Sequence, residues 1–454
     1  MVALANTLRD LKPVKVAVIG DFLLDTYTIG KAKRISPEAP VAVIHVDHEE
    51  HKPGGAGNVV LNLISLGAQV TAIGRIGKDW GGNVLCNVLS QEGVDTSAIF
   101  NQQRYRTPVK NRVIAENQQI VRIDFEEIVS LDAQLEQEII LAIPTFMHGV
   151  QAIAISDYGK GFLTDQLLKA IIDYANKNAI LVVTDPKGHD FSKYTQTTLI
   201  KPNLLEAYAA VGLPPSAPLD LVAQKILHIT QARLLMITRS EAGISLFESS
   251  GTRQDFPVHA KEVKDVTGAG DTVLAMLTYA LANKTTYSIA AQLCNVAAGI
   301  AIEQVGCARI TLSDVAYRLF QHDMKHKVFD HEQVFVLQEV LKKNPFNLLI
   351  VQCIESISLS LFQSIQELTV GEQSLLIYII DSEPSRLGID MLASLKEVSF
   401  ILIQQDDLKF LCSDVKPVKS YIYDGHHLQY VDPESYLLNV WLHDDDLKFP
   451  VNLN

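Results

Sequence analysis

The stretch Asp265-Val266-Thr267-Gly268-Ala269-Gly270-Asp271-Thr272 sets two glycines around a small alanine, directly before a carboxylate. With no Cβ at Gly268 and Gly270, backbone N–H groups can converge on one point. Val273, Leu274, Met276, Leu277, Ala280 and Leu281 then recur at helical spacing. The cradle therefore opens a helix, and its amides sit at the positive end. Asp271 so placed can take a proton from an attacking hydroxyl. The amides of Gly268, Ala269 and Gly270 can meanwhile hold the charge on a phosphoryl group in transfer. A glycine-rich helix start with an Asp near its N-cap would look the same over eight residues, so the rest of the chain has to separate the two readings.

Working outward, residues 14–19 form a continuous β-branched run ending in Gly20-Asp21, as a buried parallel strand does. Residues 41–46 are a second such run. After Gly54-Gly55-Ala56-Gly57-Asn58, residues 59–66 take helical spacing and stop at Gly67. Strands are expected at 70–76, 152–156, 180–184, 199–201 and 234–238, and helices at 81–89 and 164–176, the latter opened by a Thr cap. This rhythm over about 300 residues means a doubly wound α/β sheet, with ligands beyond the carboxyl ends of its strands. Residues 28–47 and 104–125 break the rhythm. They are β-branched and polar, and predict a small projecting β lid that sheds water from the site.

At 454 residues the chain calls for two domains. A charged cluster around 321–330 marks the break, giving domains at 1–325 and 326–454; the second resumes strands at 348–353 and 375–380 around a helix at 359–368. The formal net charge of −13 argues against nucleic acid and against an anionic membrane surface. No run of about 18 apolar residues occurs, so a membrane span is not expected. Five scattered cysteines without a C-x-x-C pair fit a reducing cytoplasm.

Several motifs follow strands. Asp21 and Asp25 can bond sugar hydroxyls, although Asp21 can equally cap a turn. Gly54 and Gly55 let the backbone approach a polyol, and Asn58 offers both donor and acceptor. In Lys201-Pro202-Asn203-x-x-Glu206, Asn203 can cap a helix with Glu206 at its third position. That reading is purely structural; the functional one sets Glu206, with Asn203, near Mg²⁺, directly or through water. Thr238, Arg239 and Gly243 can form a loop against a nucleotide. Lys160 and Lys187 each stand near a strand end, where phosphate would be met.

Together these residues resemble the ribokinase-like (PfkB) sugar kinases over roughly residues 10–320. Gly54-Gly55 and Gly268-Ala269-Gly270-Asp271 match that family's two signatures, and Asn203-x-x-Glu206 its magnesium motif. The resemblance implies a ribokinase-like α/β fold with a β lid, ATP and Mg²⁺ as cofactors, Asp271 as base, and a homodimer formed lid to lid. It also adds Asn295 to the nucleotide side. Arg34-Ile35-Ser36-Pro37-Glu38-Ala39-Pro40-Val41, Asn117-Gln118-Gln119 with Arg122 and Asp124, and Ser156-Asp157-Tyr158-Gly159-Lys160-Gly161 look like the heptose 7-phosphate kinases. Those enzymes phosphorylate the anomeric hydroxyl of D-glycero-β-D-manno-heptose 7-phosphate for lipopolysaccharide synthesis. A phosphorylated acceptor needs cations, and Arg34, Lys110, Arg112 and Arg122 in the lid segments are the candidates. One departure is Val305-Gly306-Cys307-Ala308-Arg309, where relatives carry a lysine and a Gly-Thr-Ala run; its effect is expected on late nucleotide contacts, away from any central group.

In many relatives the kinase is fused to an adenylyltransferase with a Gly-Cys-Phe-Asp turn and a His-x-Gly-His. Here Cys353 and Glu355 line up with that pattern. Ser358 and Leu361 stand where both histidines would be, and Gln352 and Ser360 replace glycines. Ile380-Asp381-Ser382-Glu383-Pro384-Ser385 resembles the end of that domain's next strand. A degenerate, Rossmann-like nucleotidyltransferase domain without that activity is expected; an unrelated accessory α/β domain is the other reading. For the first domain the alternatives are a kinase of another sugar and a sugar-phosphate sensor that binds without turnover.

Overall fold

The computed structural model describes residues 2–432 except 117, 259–262, 305, 323–326, 330–332, 352–356, 370–372, 381–384, 404, 424 and 426. The chain divides into two compact units, Leu11–Thr311 and Met1–Asp10 with Leu312–Asn454. The seam thus falls at 311/312, ahead of the expected 325/326, and the first ten residues join the second unit. The reason is packing. Helix Leu312–His322 lies against helix Val334–Leu341, and the first helix, Val2–Asp10, touches both. Lys343 fixes that arrangement with an ion pair to Asp314 at 2.6 Å. Of the charged cluster expected to mark the break, residues 323–326 and 330 lie outside the described residues.

In the first unit a nine-stranded sheet runs from edge strand Arg253–Phe256 through Ile244–Glu248, Leu234–Thr238, Leu199–Ile200, Leu181–Asp185, Ala152–Ser156, Lys15–Gly20 and Gln69–Ile76 to Ile99–Asn101. Only the two pairings involving Ile244–Glu248 are antiparallel. Parallel neighbours need long crossovers, and helices Ala56–Ser65, Trp80–Gln91 and Asp165–Lys177 lie in them. Lys15–Gly20 pairs in parallel with both Gln69–Ile76 and Ala152–Ser156. The order therefore reverses beside the first strand, and such a switch point is where open α/β sheets bind ligands. Asp21 and Asp157 emerge there.

A four-stranded sheet carries the lid, in the order Ala42–Gly55, Phe22–Ile35, Val109–Ala115, Gln118–Phe125. Its first two strands reach well beyond the expected 28–47. Phe22–Ile35 is buried in its first half and exposed in its second, whereas Gln118–Phe125 is exposed throughout. Asn117 of the sequence motif lies outside the described residues.

The second unit holds a six-stranded sheet, Val328–Phe329, Phe400–Leu402, Ser374–Ile379, Phe346–Val351, Lys419–Tyr423 and Leu428–Val431, parallel except for the last pairing. Ser358 caps helix Leu359–Leu368, its hydroxyl accepting the Leu361 N–H at 3.1 Å, and Leu361 is buried in the apolar core. Gln352, Cys353 and Glu355 lie outside the described residues, as do 381–384 of the second motif. Among the described residues no helix is long and apolar enough to cross a membrane.

Arg75 locks the first unit together. It is 1% exposed, donates to Gln102 Oε1 at 2.8 Å, to the Lys160 carbonyl at 2.7 Å and to the Val129 carbonyl, and stacks on Tyr105 at 4.1 Å. Removing the guanidinium leaves the Val129 and Lys160 carbonyls without that donor, while Gln102 Oε1 keeps the Asp132 N–H at 3.3 Å. Arg75→Met should therefore lower the unfolding free energy by about 3 kcal/mol, read as an earlier urea midpoint at unchanged m-value.

Candidate active site

Gly268 adopts φ 76°, ψ 0° and caps helix Ala269–Ala282, in whose first turn Asp271 stands. A side chain on Gly268 would be strained there, and its Cβ would lie 2.6 Å from Asn58 Nδ2. The missing Cβ lets Asn58 reach Asp271. Its Nδ2 donates to Asp271 Oδ2 at 2.9 Å, while the Tyr158 hydroxyl donates to Oδ1 at 2.8 Å. Asn62 in turn donates to Asn58 Oδ1 at 3.1 Å and fixes its orientation. Burial pushes the Asp271 pKa up to about 7; the two donors oppose the rise, the Asp185 charge adds to it and Lys201 opposes it. A carboxylate at 3% exposure with that pKa is poised to accept a proton near neutrality.

The three cradle amides are not equivalent. The Ala269 N–H turns back to the Val266 carbonyl at 3.3 Å. Among the described residues those of Gly268 and Gly270 have no such internal acceptor. The expected anion hole thus reduces to two amides, because the first helical turn bonds one of its own orphans.

On the other side of Asp271 stand Asp21 and Asp25. Asp21 Oδ2 accepts the Tyr158 and Lys160 N–H groups, both at 3.0 Å. Its buried Oδ1 has no hydrogen-bond partner among the described residues, so it suits a hydroxyl. Burial, with the Asp157 charge, raises its pKa. Asp25 is ion-paired with Arg112, which lies over the Tyr27 ring. A Cβ on Gly54 would run into the Asp25 carboxylate, and Gly55, at φ 57°, brings its backbone against the Asp21 carbonyl. Asn58 is spent on Asp271 and Asn62, so its predicted role as a sugar contact becomes one of holding the base.

Of the expected lid cations, Lys110 lies 3.8 Å from Glu126. Arg122 instead forks onto Asp124 at 2.8 and 2.9 Å on the exposed outer strand, and Arg34 is exposed in the distal part of its strand. Neither is brought to Asp271, because both stand on solvated stretches of the lid. The departure at 305–309 does touch a central group. Cys307 Sγ lies 3.7 Å from Asp25 Oδ2, and Gly306 N–H binds Asp265 at 2.8 Å. Val305 is outside the described residues.

Against the cradle opens a cavity of about 700 Å³. Asp185, Lys187, Lys201, Asn203, Glu206 and Gly270 give it polar walls; Ile244, Val258, Val266, Ala298 and Ile302 give it apolar ones. Thr238, Gly243 and Asn295 also line it, with Asn295 Nδ2 held by the Phe256 carbonyl at 2.8 Å. Arg239 does not; it binds the Ala242 carbonyl at 3.1 Å and Asp255 at 3.3 Å. Nor does Lys160, which reaches Glu126 at 2.8 Å. Lys201 is buried against Asp185 at 3.0 Å, and burial lifts the Asp185 pKa to about 6 although Lys201 opposes the rise.

Direct magnesium ligation does not fit the Asn203–Glu206 pair. A complete capping box joins them: Asn203 Oδ1 accepts the Glu206 N–H at 2.9 Å and Glu206 Oε2 the Asn203 N–H at 3.0 Å. Lys187 Nζ holds Glu206 Oε1 at 2.7 Å. No group of three or more His, Cys, Asp or Glu that could hold a metal occurs among the described residues. Magnesium keeps much of its water shell, and the spare lone pairs of Glu206 suit contact through it.

Tyr158, Lys201, Asp185 and Asn62 were missed as site residues. Tyr158 and Lys201 sit in motifs already singled out, Asp185 ends strand Leu181–Asp185, and a place at the carboxyl end of a sheet strand was the available signal. Asn62 lies one helical turn after Asn58, which places both on one face.

The family model for pfkB family carbohydrate kinases matches residues 14–314. The protein named Bifunctional protein HldE of Trichlorobacter lovleyi is 44% identical over 332 residues, 72% of this chain and 67% of that protein. Its namesake from Geobacter metallireducens is 45% identical over 325 residues, 70% and 66% of the two chains. The chain thus spans about two thirds of the length of these relatives. Among solved structures, Arabidopsis thaliana ribokinase complexed with ribose and ATP superposes with TM-score 0.53 at 17% identity, over 68% of this chain and 99% of that one. Escherichia coli phosphofructokinase-2 in complex with potassium gives 0.56 at 20% identity, over 68% and 100%. These likenesses show a ribokinase-like fold.

Tyr158→Phe removes a donor that favours the ionised form of Asp271, so the carboxyl should titrate above about 7. A ¹³C NMR titration of the Asp271 carboxyl in the two proteins measures the displacement; coincident curves would contradict the assignment.

Proposed function

The chain belongs to the pfkB family of carbohydrate kinases, and on that premise we propose that it transfers the γ-phosphoryl group of ATP to the anomeric hydroxyl of D-glycero-β-D-manno-heptose 7-phosphate. The product is the 1,7-bisphosphate, a precursor of ADP-heptose for the lipopolysaccharide core. The observation that carries the reading is Asp271, buried between two donors beside two amides that have no internal acceptor among the described residues and a cavity of nucleotide size. The identity of 44–45% to two proteins named HldE supports the choice of acceptor.

In this mechanism Asp271 takes the proton as the sugar O–H bond breaks. The oxygen forms its bond to the γ-phosphorus, the bond to the bridging oxygen breaks, and ADP leaves with that electron pair. The Gly268 and Gly270 amides and Lys201 offset the charge on the phosphoryl group. Magnesium, when bound, neutralises phosphate charge, and Glu206 would hold it through water. The apolar cavity walls receive the base of the nucleotide, and the lid excludes water that would otherwise compete as acceptor. A homodimer built through the lids, in a reducing cytoplasm, belongs to the same reading; the outer lid strand is exposed along its whole length.

For the second unit we propose a nucleotidyltransferase-like fold without adenylyl transfer. Ser358 is spent on capping and on the Tyr423 hydroxyl at 3.0 Å, and Leu361 faces the core. Neither can grip a triphosphate as histidine would.

Asp271→Asn should bind both substrates by calorimetry yet lose kcat by at least about 10³-fold, the range expected for loss of a base in a preorganised site. Because the base must be ionised, kcat/KM should rise with pH through about 7 and level off above it. A panel of sugars and sugar phosphates with coupled ADP detection separates heptose 7-phosphate from other acceptors. Heptose 1-phosphate with ATP should yield no ADP-heptose, and appreciable product would overturn the reading of the second unit.

A further inference from the structure

Three side chains meet where the lid joins the sheet. Glu126 Oε1 lies 2.8 Å from Lys160 Nζ, and its Oε2 lies 3.8 Å from Lys110 Nζ. All three side chains are largely withdrawn from solvent, at 26%, 11% and 19% exposure for Glu126, Lys160 and Lys110. Two cations thus face one carboxylate. Glu126 Oε2 is buried without a hydrogen bond among the described residues, which leaves this pairing incomplete.

The cluster adjoins the acceptor side of the site. Lys110 stands directly across from Asp25 in the lid register, two residues from Arg112 and so on the same face of the strand. Lys160 follows Tyr158 by two residues, and its N–H shares Asp21 Oδ2 with the Tyr158 N–H.

The two lysines stand on hydrogen-bonded backbone, whereas Glu126 follows the last paired residue of its strand. Lys160 is held at both ends of its residue, its N–H by Asp21 and its carbonyl by Arg75. Lys110 is paired on both sides within the lid sheet, to Asp25 and to Asp124. Glu126 stands on irregular chain just after strand Gln118–Phe125, beside the exposed Glu127 and the 78%-exposed Ile128. Anchors resume at Val129, whose carbonyl takes Arg75, at Ser130, whose carbonyl takes Gln102 Nε2 at 3.2 Å, and at Leu131, whose N–H binds the Gly161 carbonyl at 2.9 Å.

We propose that Glu126 occupies, in the free protein, the place of the acceptor's own phosphate, and that Lys160 and Lys110 bind that phosphate when Glu126 swings out. This rests on the reading of the acceptor as a sugar phosphate. A phosphate monoester carries nearly two negative charges and three acceptor oxygens, enough to satisfy both ammonium groups at once. A single carboxylate cannot. Glu126 therefore faces both lysines while the site is empty, pairing closely with Lys160 alone, and acts as an internal competitor that an unphosphorylated sugar has no means to displace.

Titration of the full-length protein with inorganic phosphate by calorimetry reads the subsite without turnover. Glu126→Gln should bind phosphate about five- to tenfold more tightly than the parent, since the competing charge is gone. Lys160→Gln should weaken phosphate binding by at least about tenfold. In turnover assays Glu126→Gln should lower, and Lys160→Gln raise, KM for heptose 7-phosphate, while KM for ATP stays put. Equal or weaker phosphate binding by Glu126→Gln, with thermal melting showing it folded, would overturn the proposal. Turnover of heptose 7-phosphate with an unresponsive phosphate titration would remove this inference alone. Absence of turnover with any sugar phosphate would remove the kinase reading, while the titration would still report on the subsite.

Discussion

A carboxylate withdrawn from water at the start of a helix organises everything around it. Ionised Asp271 is costly where it stands, because burial disfavours its charge. The structure answers with two donors brought from distant segments, Asn58 from helix Ala56–Ser65 and Tyr158 from the loop after Ala152–Ser156. Each donor is itself positioned. Asn62 orients Asn58 and also bonds the Ala308 carbonyl and the Ile310 N–H, so this helix is tied to the segment that follows helix Tyr287–Ala301. The left-handed Gly268 leaves the gap through which Asn58 passes. The balance between burial and these donors keeps the group near neutrality, where a weak acid can both accept and release a proton.

The same loop divides the site into two chemically different halves. Tyr158 and Lys160 give their N–H groups to Asp21 on the acceptor side. Asp157, between the same strand end and Tyr158, lines the cavity and is held by Lys193 and Tyr194, both at 2.6 Å. On that second side the charges are arranged in pairs, Lys201 with Asp185 and Lys187 with Glu206. On the proposed function, an incoming polyphosphate would meet ammonium groups already oriented by carboxylates, so few long side chains would have to be ordered on binding.

What the sequence disclosed and what it hid divide along one physical line. Strand runs, the glycine cradle and the capping box are local, and periodicity or spacing within a few residues reports them. The Asn203–Glu206 box is the clearest case, with a reciprocal pair legible from the spacing alone. Contacts between remote segments leave no such mark. Tyr158 and Asp271 are 113 residues apart, and the pairing of Asp25 with Lys110 depends on lid register. The pairing of Arg122 was legible too, since Asp124 stands two residues on along a strand and therefore on the same face. The domain seam was hidden for another reason. Helix Leu312–His322 has an apolar face that suits either unit, and only its packing on Val334–Leu341 decides.

Strand Phe22–Ile35 starts as a wall of the catalytic chamber and ends as the far tip of the cover, without a break in the chain. A cover made this way has no hinge at its root. Bending is left to the places where pairing with Ala42–Gly55 slips, between Ile29 and Gly30 and between Ala32 and Arg34. Were the cover to flex, it would do so as a blade clamped at its base, with Asp25 in the buried half travelling least and the exposed half furthest. On the proposed function, access for the sugar would vary in this way while the buried ground around Asp25 keeps its shape.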